Sequence, residues 1–123
     1  MTLREERCVA CRPDTPAVSV EELKTLKADL ETDWQIVRPY SEPGDMQNGY
    51  GAHLRRAFHF KNFKDALAFV NRLGDLAEQE HHHPDVLLSW GRVGVDLTTH
   101  TIDGLTRNDF IVAAKIDALA AGG

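Results

Sequence analysis

Between residues 62 and 77 the sequence has an apolar stripe with helical spacing, and this stripe constrains the fold more than any other feature. Asn62 is a favourable N-cap residue at its start. Pro84 stops the helix from continuing far beyond the stripe, because the residue before a proline is disfavoured in the α conformation. The predicted stripe consists of Phe63, Ala66, Leu67, Val70, Leu73, Leu76 and Ala77. A helix of this kind must bury its apolar face, so the chain must supply a sheet or other helices to cover it.

Segments of alternating polarity predict strands on both sides of this helix. They cover residues 34–37, 54–60, 86–90 and 93–99. Successive side chains of a strand point to opposite faces, which puts Phe58 and Phe60 on the core side of the second segment. The same rule puts Val93, Val95 and Leu97 on one face of the fourth segment. We therefore predict two antiparallel strand pairs.

Capping signals predict two more helices. Ser19 and Glu22 have the spacing of a capping box before an apolar period that ends near Asp33. Thr106 and Asp109 have the same spacing before the last apolar period of the chain. The predicted order is α-β-β-α-β-β-α. This order indicates an α+β fold, with a four-stranded antiparallel sheet and helices packed on one face.

The length of 123 residues predicts one domain, which we assign to residues 19–123, after a polar N-terminal arm at residues 1–18. The arm contains Cys8 and Cys11, which are either two reduced thiols or half of a zinc site. A loop rich in proline and glycine at residues 39–52 is longer than a hairpin needs. Either the arm or the loop could cover a pocket or bind a partner.

Charge and hydropathy exclude two classes of partner. The formal net charge is −5 and no basic stripe is present, so we expect no direct contact with nucleic acid. No stretch approaches the roughly 18 apolar residues that cross a bilayer. The first part of the chain also lacks the apolar core of a signal peptide. We therefore expect no membrane association and a cytoplasmic location.

Histidine gives the main chemical signal. The chain has six histidines, of which residues 81–83 form a run and His100 follows the fourth strand segment. Imidazole, with an unperturbed pKa of about 6.5, can both donate and accept a proton near neutral pH. Two segments distant in the chain could bring His82, His83 and His100 to one pocket, with the hydroxyls of Thr98 and Thr99 as polar contacts.

Each of these residues also has a structural interpretation. The histidine run could cap a helix C-terminus, where the helix dipole favours positive charge. Asp109 could be only a capping partner, and Trp90 could be a core residue instead of a flat wall for a ring-shaped ligand. Glu78 and the histidines could form a metal site, although adjacent side chains on an irregular turn usually diverge.

The spacing of these residues resembles the signature of the pterin-4a-carbinolamine dehydratase family. The matching positions in order are Glu78, His82, His83, Pro84, Trp90, His100 and Asp109. The resemblance extends from about Val20 to Leu119 and includes the segments 58–63 and 98–100. A pattern with this many parts is far more specific than a motif of two residues.

The resemblance implies a fold, a reaction and a site. The implied fold is the predicted one, assembled as a homodimer or homotetramer. The implied reaction is the dehydration of a 4a-hydroxytetrahydropterin to a quinonoid dihydropterin, a hydro-lyase activity that needs no metal or organic cofactor. It would support tetrahydrobiopterin recycling, with an aromatic amino acid hydroxylase as a possible partner.

The resemblance also assigns roles to residues. The catalytic set is His82, His83 and His100. The substrate-binding set is His81, Pro84, Trp90, Thr98, Thr99 and Thr101. Glu78 and Asp109 are supporting groups that set the position or tautomer of a histidine. Relatives of this family act as a dimerisation cofactor of a transcription factor or as an assembly helper for a carbon-fixing enzyme. The alternative function is therefore a non-catalytic or dual-role partner-binding protein.

Overall fold

The structure is a computed structural model that describes residues 2–38 and 48–122. A short 3-10 helix at Leu3–Glu5 precedes the main elements. These are α1 (Val20–Ala28), β1 (Gln35–Val37), β2 (His53–His59), α2 (Phe63–Glu80), β3 (Asp85–Ser89), β4 (Arg92–Leu97) and α3 (Arg107–Ala120). The α+β class and the predicted order of helices and strands are confirmed.

The four strands form one antiparallel sheet in the order β1-β2-β4-β3. In the central pair, Leu54 lies opposite Leu97 and Phe58 lies opposite Val93. All four side chains are buried beneath the helices, as the alternation of the sequence predicts. The sheet therefore supplies one side of the core, and β1 and β3 are its edges.

The face that α2 buries differs from the predicted stripe. Phe69 is completely buried, whereas Phe63 and Leu67 are 45% and 40% exposed, so the prediction is wrong at those two positions and omitted Phe69. The ring of Phe69 lies 5.0 Å from that of Phe58 and 5.1 Å from that of Phe60. Apolar residues occur on both sides of the helix, and contact with these sheet aromatics selects the face that contains Phe69.

The helix starts agree with the capping signals. Ser19 and Glu22 form the capping box of α1, and the side chain of Asn62 accepts a hydrogen bond from the Asp65 amide at 2.7 Å. The end of α1 was predicted too late, since the helix stops at Ala28 and not near Asp33. Of the predicted loop at 39–52, residues 39–47 lie outside the described residues.

Parts of the segment at residues 2–18 pack against the rest of the chain. Leu3 and Val18 are buried in the core. The guanidinium of Arg107, at the start of α3, donates two hydrogen bonds to the Glu6 carboxylate at 2.8 and 2.7 Å. Among the described residues, no helix is long and apolar enough to cross a membrane.

Candidate active site

The turn after α2 carries the histidine run. His81 has a φ of 53°, in the left-handed region that usually favours glycine at the end of a helix. The His82 amide donates to the Ala77 carbonyl at 3.2 Å and the His81 amide donates to the Glu78 carbonyl at 3.3 Å, which is the Schellman arrangement. This sharp turn directs the chain away from the helix axis at His82. A non-glycine residue held in this conformation is a backbone feature that is common at functional sites.

A second turn, after β4, carries His100 and Thr101. The amide of Thr99 donates to the carbonyl of Gly104 at 2.8 Å, which closes the turn. A side chain at Gly104 would approach the Gly49 carbonyl oxygen to 2.8 Å, so this position requires glycine. His100 and Thr101 are exposed at the tip of the closed turn.

Asp109 connects the start of α3 to the histidine turn. Its carboxylate is completely buried and accepts hydrogen bonds from the Thr106 amide at 2.9 Å and the Thr99 hydroxyl at 2.8 Å. Its other oxygen lies 2.6 Å from Nε2 of His82, whose side chain is only 11% exposed. Because an ionised carboxylate only accepts hydrogen bonds, this contact with such a carboxylate requires a proton on Nε2 of His82 and leaves Nδ1 outside the contact. Asp109 is therefore both a capping residue of α3 and the hydrogen-bond partner of His82.

His83 has a different environment. Its Nε2 lies 2.5 Å from Oε2 of Glu78, and both side chains are largely exposed. The hydrogen bond from His83 lowers the pKa of the Glu78 carboxyl. An exposed pair of this kind orients the ring but contributes little to stability.

The histidines line one cavity of about 510 Å³. Its walls come from residues 8–11, 80–83 and 98–101 and from Asn108. This volume lies within the roughly 300–1,000 Å³ that is typical of small-molecule sites. A larger depression of about 870 Å³ lies elsewhere; its described lining comes mainly from the sheet and includes one histidine, His59. Acid/base groups converge in the smaller cavity, which is therefore the candidate active site.

The structure brings most of the predicted site residues together. His81, His82, His83, His100, Thr98, Thr99 and Thr101 all line the cavity. The Thr99 hydroxyl contacts Asp109, and the Thr98 hydroxyl donates to the Ala52 carbonyl at 2.9 Å, so both hydroxyls bond within the protein. Pro84 and Trp90 are not among the lining residues. Trp90 is 69% exposed, between β3 and β4, and is not a core residue of this chain.

Two residues of the cavity were absent from the sequence predictions, namely Asn108 and Glu80, which are buried polar residues at its edge. The arm was expected to cover a pocket or bind a partner, and its residues 8–11 form a wall of this cavity that we call the arm wall. A local pattern does not mark these residues, because they meet the histidines only through packing.

The described residues contain no group of three or more His, Cys, Asp or Glu side chains arranged to hold a metal ion. The structure thus gives the zinc alternative no ligand set within those residues.

Comparisons with known proteins agree with the sequence signature. The family model described as Pterin 4 alpha carbinolamine dehydratase matches residues 16–119. A protein of Alkaliphilus metalliredigens is 44% identical over 115 residues, which are 94% of this chain and 93% of that protein. A protein of Gloeobacter violaceus is 45% identical over 121 residues, which are 98% of this chain and 96% of that protein. Both carry the provisional name pterin-4-alpha-carbinolamine dehydratase.

Solved structures share the fold. A transcriptional coactivator/pterin dehydratase from Brucella melitensis superposes with a TM-score of 0.68 at 28% identity, over 85% of this chain and 99% of that one. A pterin dehydratase-like protein identified as a RuBisCO assembly factor in the alpha-carboxysome gives a TM-score of 0.56 at 24% identity, over 73% of this chain and 92% of that one, and shows the fold alone. The family match covers most of the chain, and the activity after which the family is named, dehydration, is that of a hydro-lyase. The chain therefore belongs to the pterin 4 alpha carbinolamine dehydratase family.

Proposed function

We propose that this chain removes water from a 4a-hydroxytetrahydropterin by histidine acid/base catalysis. The observation that carries the proposal is the contact between Nε2 of His82 and the buried Asp109, because it leaves the other ring nitrogen, Nδ1, for the substrate. His82 and His100 line the same cavity. A histidine with a fixed tautomer and a second histidine nearby are the groups that a paired proton donation and removal requires.

The reaction needs one acid and one base and involves no net oxidation. The acid donates a proton to the hydroxyl on C4a, and the C–O bond breaks to release water. The base removes the proton from N5, and the electron pair of the N5–H bond forms the C4a–N5 double bond. The product is the quinonoid dihydropterin, and the two catalytic groups exchange protons with solvent before the next turnover.

We assign the proton transfers to His82 and His100, and the orientation of the carbinol hydroxyl to His83. Asp109 supports this assignment because its carboxylate is a partner for the positive charge on His82 once Nδ1 takes up a proton. Glu78 has the same relation to His83 at the cavity rim. His81 and Thr101 line the cavity and are proposed to contact the pterin ring, together with the backbone around Thr98 and Thr99, whose hydroxyls bond internally.

Pro84 and Trp90 stay in the proposed binding set on the signature alone. The physiological role that fits is the recycling of tetrahydrobiopterin after aromatic amino acid hydroxylation, with a hydroxylase as a possible partner. The cytoplasmic location also stays a prediction.

The double variant His82→Ala/His100→Ala tests the proposal. General acid–base groups typically contribute about 10²–10⁴-fold each, so the variant should lose nearly all acceleration of 4a-hydroxytetrahydropterin dehydration over the spontaneous reaction. The matched control is His59→Ala, because His59 is exposed on β2 and outside the histidine cavity. Circular dichroism and a thermal melt verify the fold. A folded double variant with unchanged turnover would contradict the assignment of the proton transfers to His82 and His100.

A second proposal concerns self-association. Strand β3 is an edge of the sheet; Val86 and Leu87 within it are 37% and 64% exposed, and Trp90 directly after it is 69% exposed. Unpaired strand edges with exposed apolar side chains are sites where another chain can add. This edge supports the expected homodimer or homotetramer, which sedimentation velocity measures directly. It is also where the alternative partner-binding role would be located.

A further inference from the structure

The arm wall, residues 8–11, forms one side of the histidine cavity. It lies outside residues 16–119, the part of the chain that the family model matches. Its side chains are Cys8, Val9, Ala10 and Cys11, which are small or medium in size and uncharged. A wall of this composition contributes shape to the cavity.

Asn108 fixes the arm wall from the side of α3. Its amide nitrogen donates to the Val9 carbonyl at 2.6 Å, and its amide oxygen accepts from the Val9 amide at 3.0 Å. The side chain of one buried residue thereby satisfies both backbone groups of Val9. Asn108 also precedes Asp109, so the arm wall and His82 are held by neighbouring residues of α3.

Glu80 fixes the arm wall from the side of α2. This residue is buried, and its carboxylate accepts a hydrogen bond from the Cys8 amide at 2.9 Å. Lys115 and Arg7 lie 3.1 and 3.3 Å from the same carboxylate and balance its charge. A buried carboxylate needs such partners, so the contact is built into the fold. Glu80 immediately precedes the histidine run, which ties the arm wall to the catalytic turn.

We propose that the arm wall contacts the substituent on C6 of the pterin and determines which 4a-hydroxytetrahydropterins the cavity accepts, with Asn108 and Glu80 as its positioning residues. This inference rests on the proposed dehydration. C6 is bonded to N5, the atom that loses a proton, so a substituent on C6 necessarily lies close to the histidines. Of the described segments that line the cavity, residues 80–83 and 98–101 contain histidines and residues 8–11 do not, so we place the substituent against the arm wall.

Two variants test the proposal, one by releasing the wall and one by adding bulk to it, and each is assayed with two substrates that differ at C6. Asn108→Ala releases the wall, and Ala10→Phe leaves both Val9 hydrogen bonds in place but adds bulk to the wall. The substrates are the 4a-hydroxytetrahydropterins with a dihydroxypropyl group or a methyl group on C6. The control is Asp14→Ala, because Asp14 is exposed on the same arm and does not line the cavity.

For the larger substrate, Ala10→Phe should raise KM by at least about 10-fold, the scale on which pockets discriminate by size. Asn108→Ala should raise it by roughly 3- to 10-fold, the value of one or two hydrogen bonds. For the methyl substrate, the KM of each variant should stay within about 2-fold of the wild-type value. The kcat of each variant should change little for either substrate. A purely structural effect on His82 would instead lower kcat for both substrates equally.

A binding measurement independent of turnover completes the test. Burial raises the pKa of the Cys8 thiol to about 12, so iodoacetamide at pH 8 should modify Cys11 in preference to Cys8. Saturating 7,8-dihydrobiopterin should slow alkylation of Cys11, which lines the cavity, by at least about 10-fold if the ligand lies against the wall. The control variant should behave like the wild type.

The outcomes separate the two hypotheses. The arm wall proposal is overturned, and the proposed function stands, if the wild type dehydrates both substrates but two results are negative. These are an unchanged ratio of the KM values for the two substrates in both variants, and no protection of Cys11 by the dihydropterin. If the wild type dehydrates neither substrate and binds no dihydropterin, the proposed function is overturned and this inference with it.

Discussion

Replacing Asp109 by asparagine removes a negative charge from the interior while keeping the shape of the side chain. The Thr106 amide and the Thr99 hydroxyl both donate to Oδ2 of Asp109, so the single oxygen of asparagine should take that position. The asparagine amide then faces His82 and donates a hydrogen bond to Nε2. Nε2 must become the acceptor, and the proton of the neutral imidazole moves to Nδ1. The nitrogen that is proposed to accept the substrate proton can then no longer do so.

The expected loss follows from that tautomer change. A base held in the wrong tautomer loses the contribution of general base catalysis, so kcat should fall by at least about 100-fold, or about 2.7 kcal/mol in activation free energy. The effect on stability should be smaller. Two hydrogen bonds lose their charge assistance, at a cost of roughly 1 kcal/mol each, and removal of a buried charge offsets part of that cost. We expect a loss below about 2 kcal/mol in the free energy of unfolding, and therefore a folded variant.

Two measurements on Asp109→Asn separate the positional role from a structural one. Dehydration kinetics report kcat, and nitrogen-15 NMR of the imidazole reports which ring nitrogen of His82 carries the proton. Thr99→Val is the matched control, because it removes one hydrogen bond to Asp109 but leaves the carboxylate on His82. It should keep the proton on Nε2 and lose less than about 10-fold in kcat. A folded Asp109→Asn variant with wild-type kcat, or with the proton of His82 still on Nε2, would refute the reasoning.

Two further predictions concern stability. Phe69→Ala should lower the free energy of unfolding by about 3–5 kcal/mol, whereas Leu67→Ala, on the exposed side of the same helix, should cost less than about 1 kcal/mol in urea denaturation. Burial alone raises the pKa of the Glu80 carboxyl, but hydrogen bonds from the Cys8 amide and Lys115 outweigh it and hold the pKa below its ordinary 4.5. The stabilisation by ionised Glu80 is therefore complete above pH 4.5 and is lost as the pH falls through the lowered pKa. The difference in the free energy of unfolding between the wild type and Glu80→Gln should be constant from pH 7 to about pH 5 and should shrink below about pH 5. A difference that does not depend on pH down to about pH 3 would contradict this assignment.

Periodicity predicted the helices and strands well but identified the buried face of α2 poorly. The positions of Phe63 and Leu67 have the same helical spacing as true core residues, but both are exposed, whereas Phe69 is buried against the rings of Phe58 and Phe60. A sequence pattern shows that an apolar face exists, but the partner surface decides its exact rotation.

The site shows the same division between local and long-range information. The signature named the histidines that line the cavity, and the family comparison confirmed the family that the signature indicates. Trp90 has the signature spacing as well, yet in this chain it lies at an exposed turn outside the cavity. Spacing along the chain specifies which residues belong to a pattern, but it does not specify which of them meet within one subunit.

By itself, the sequence determined the order of elements, their N-terminal caps, the family and the histidines of the candidate site. All of these depend on residues that are close in the chain or on a fixed spacing, so they can be read without a fold. Only the tertiary structure decided that His82 is the histidine that Asp109 contacts, and that Asn108 and Glu80 hold residues 8–11 against the cavity. Cys8 and Glu80 are 72 positions apart, and Val9 and Asn108 are 99 positions apart. Contacts over such separations form because helices α2 and α3 pack against each other and against the sheet, and no local pattern encodes that packing.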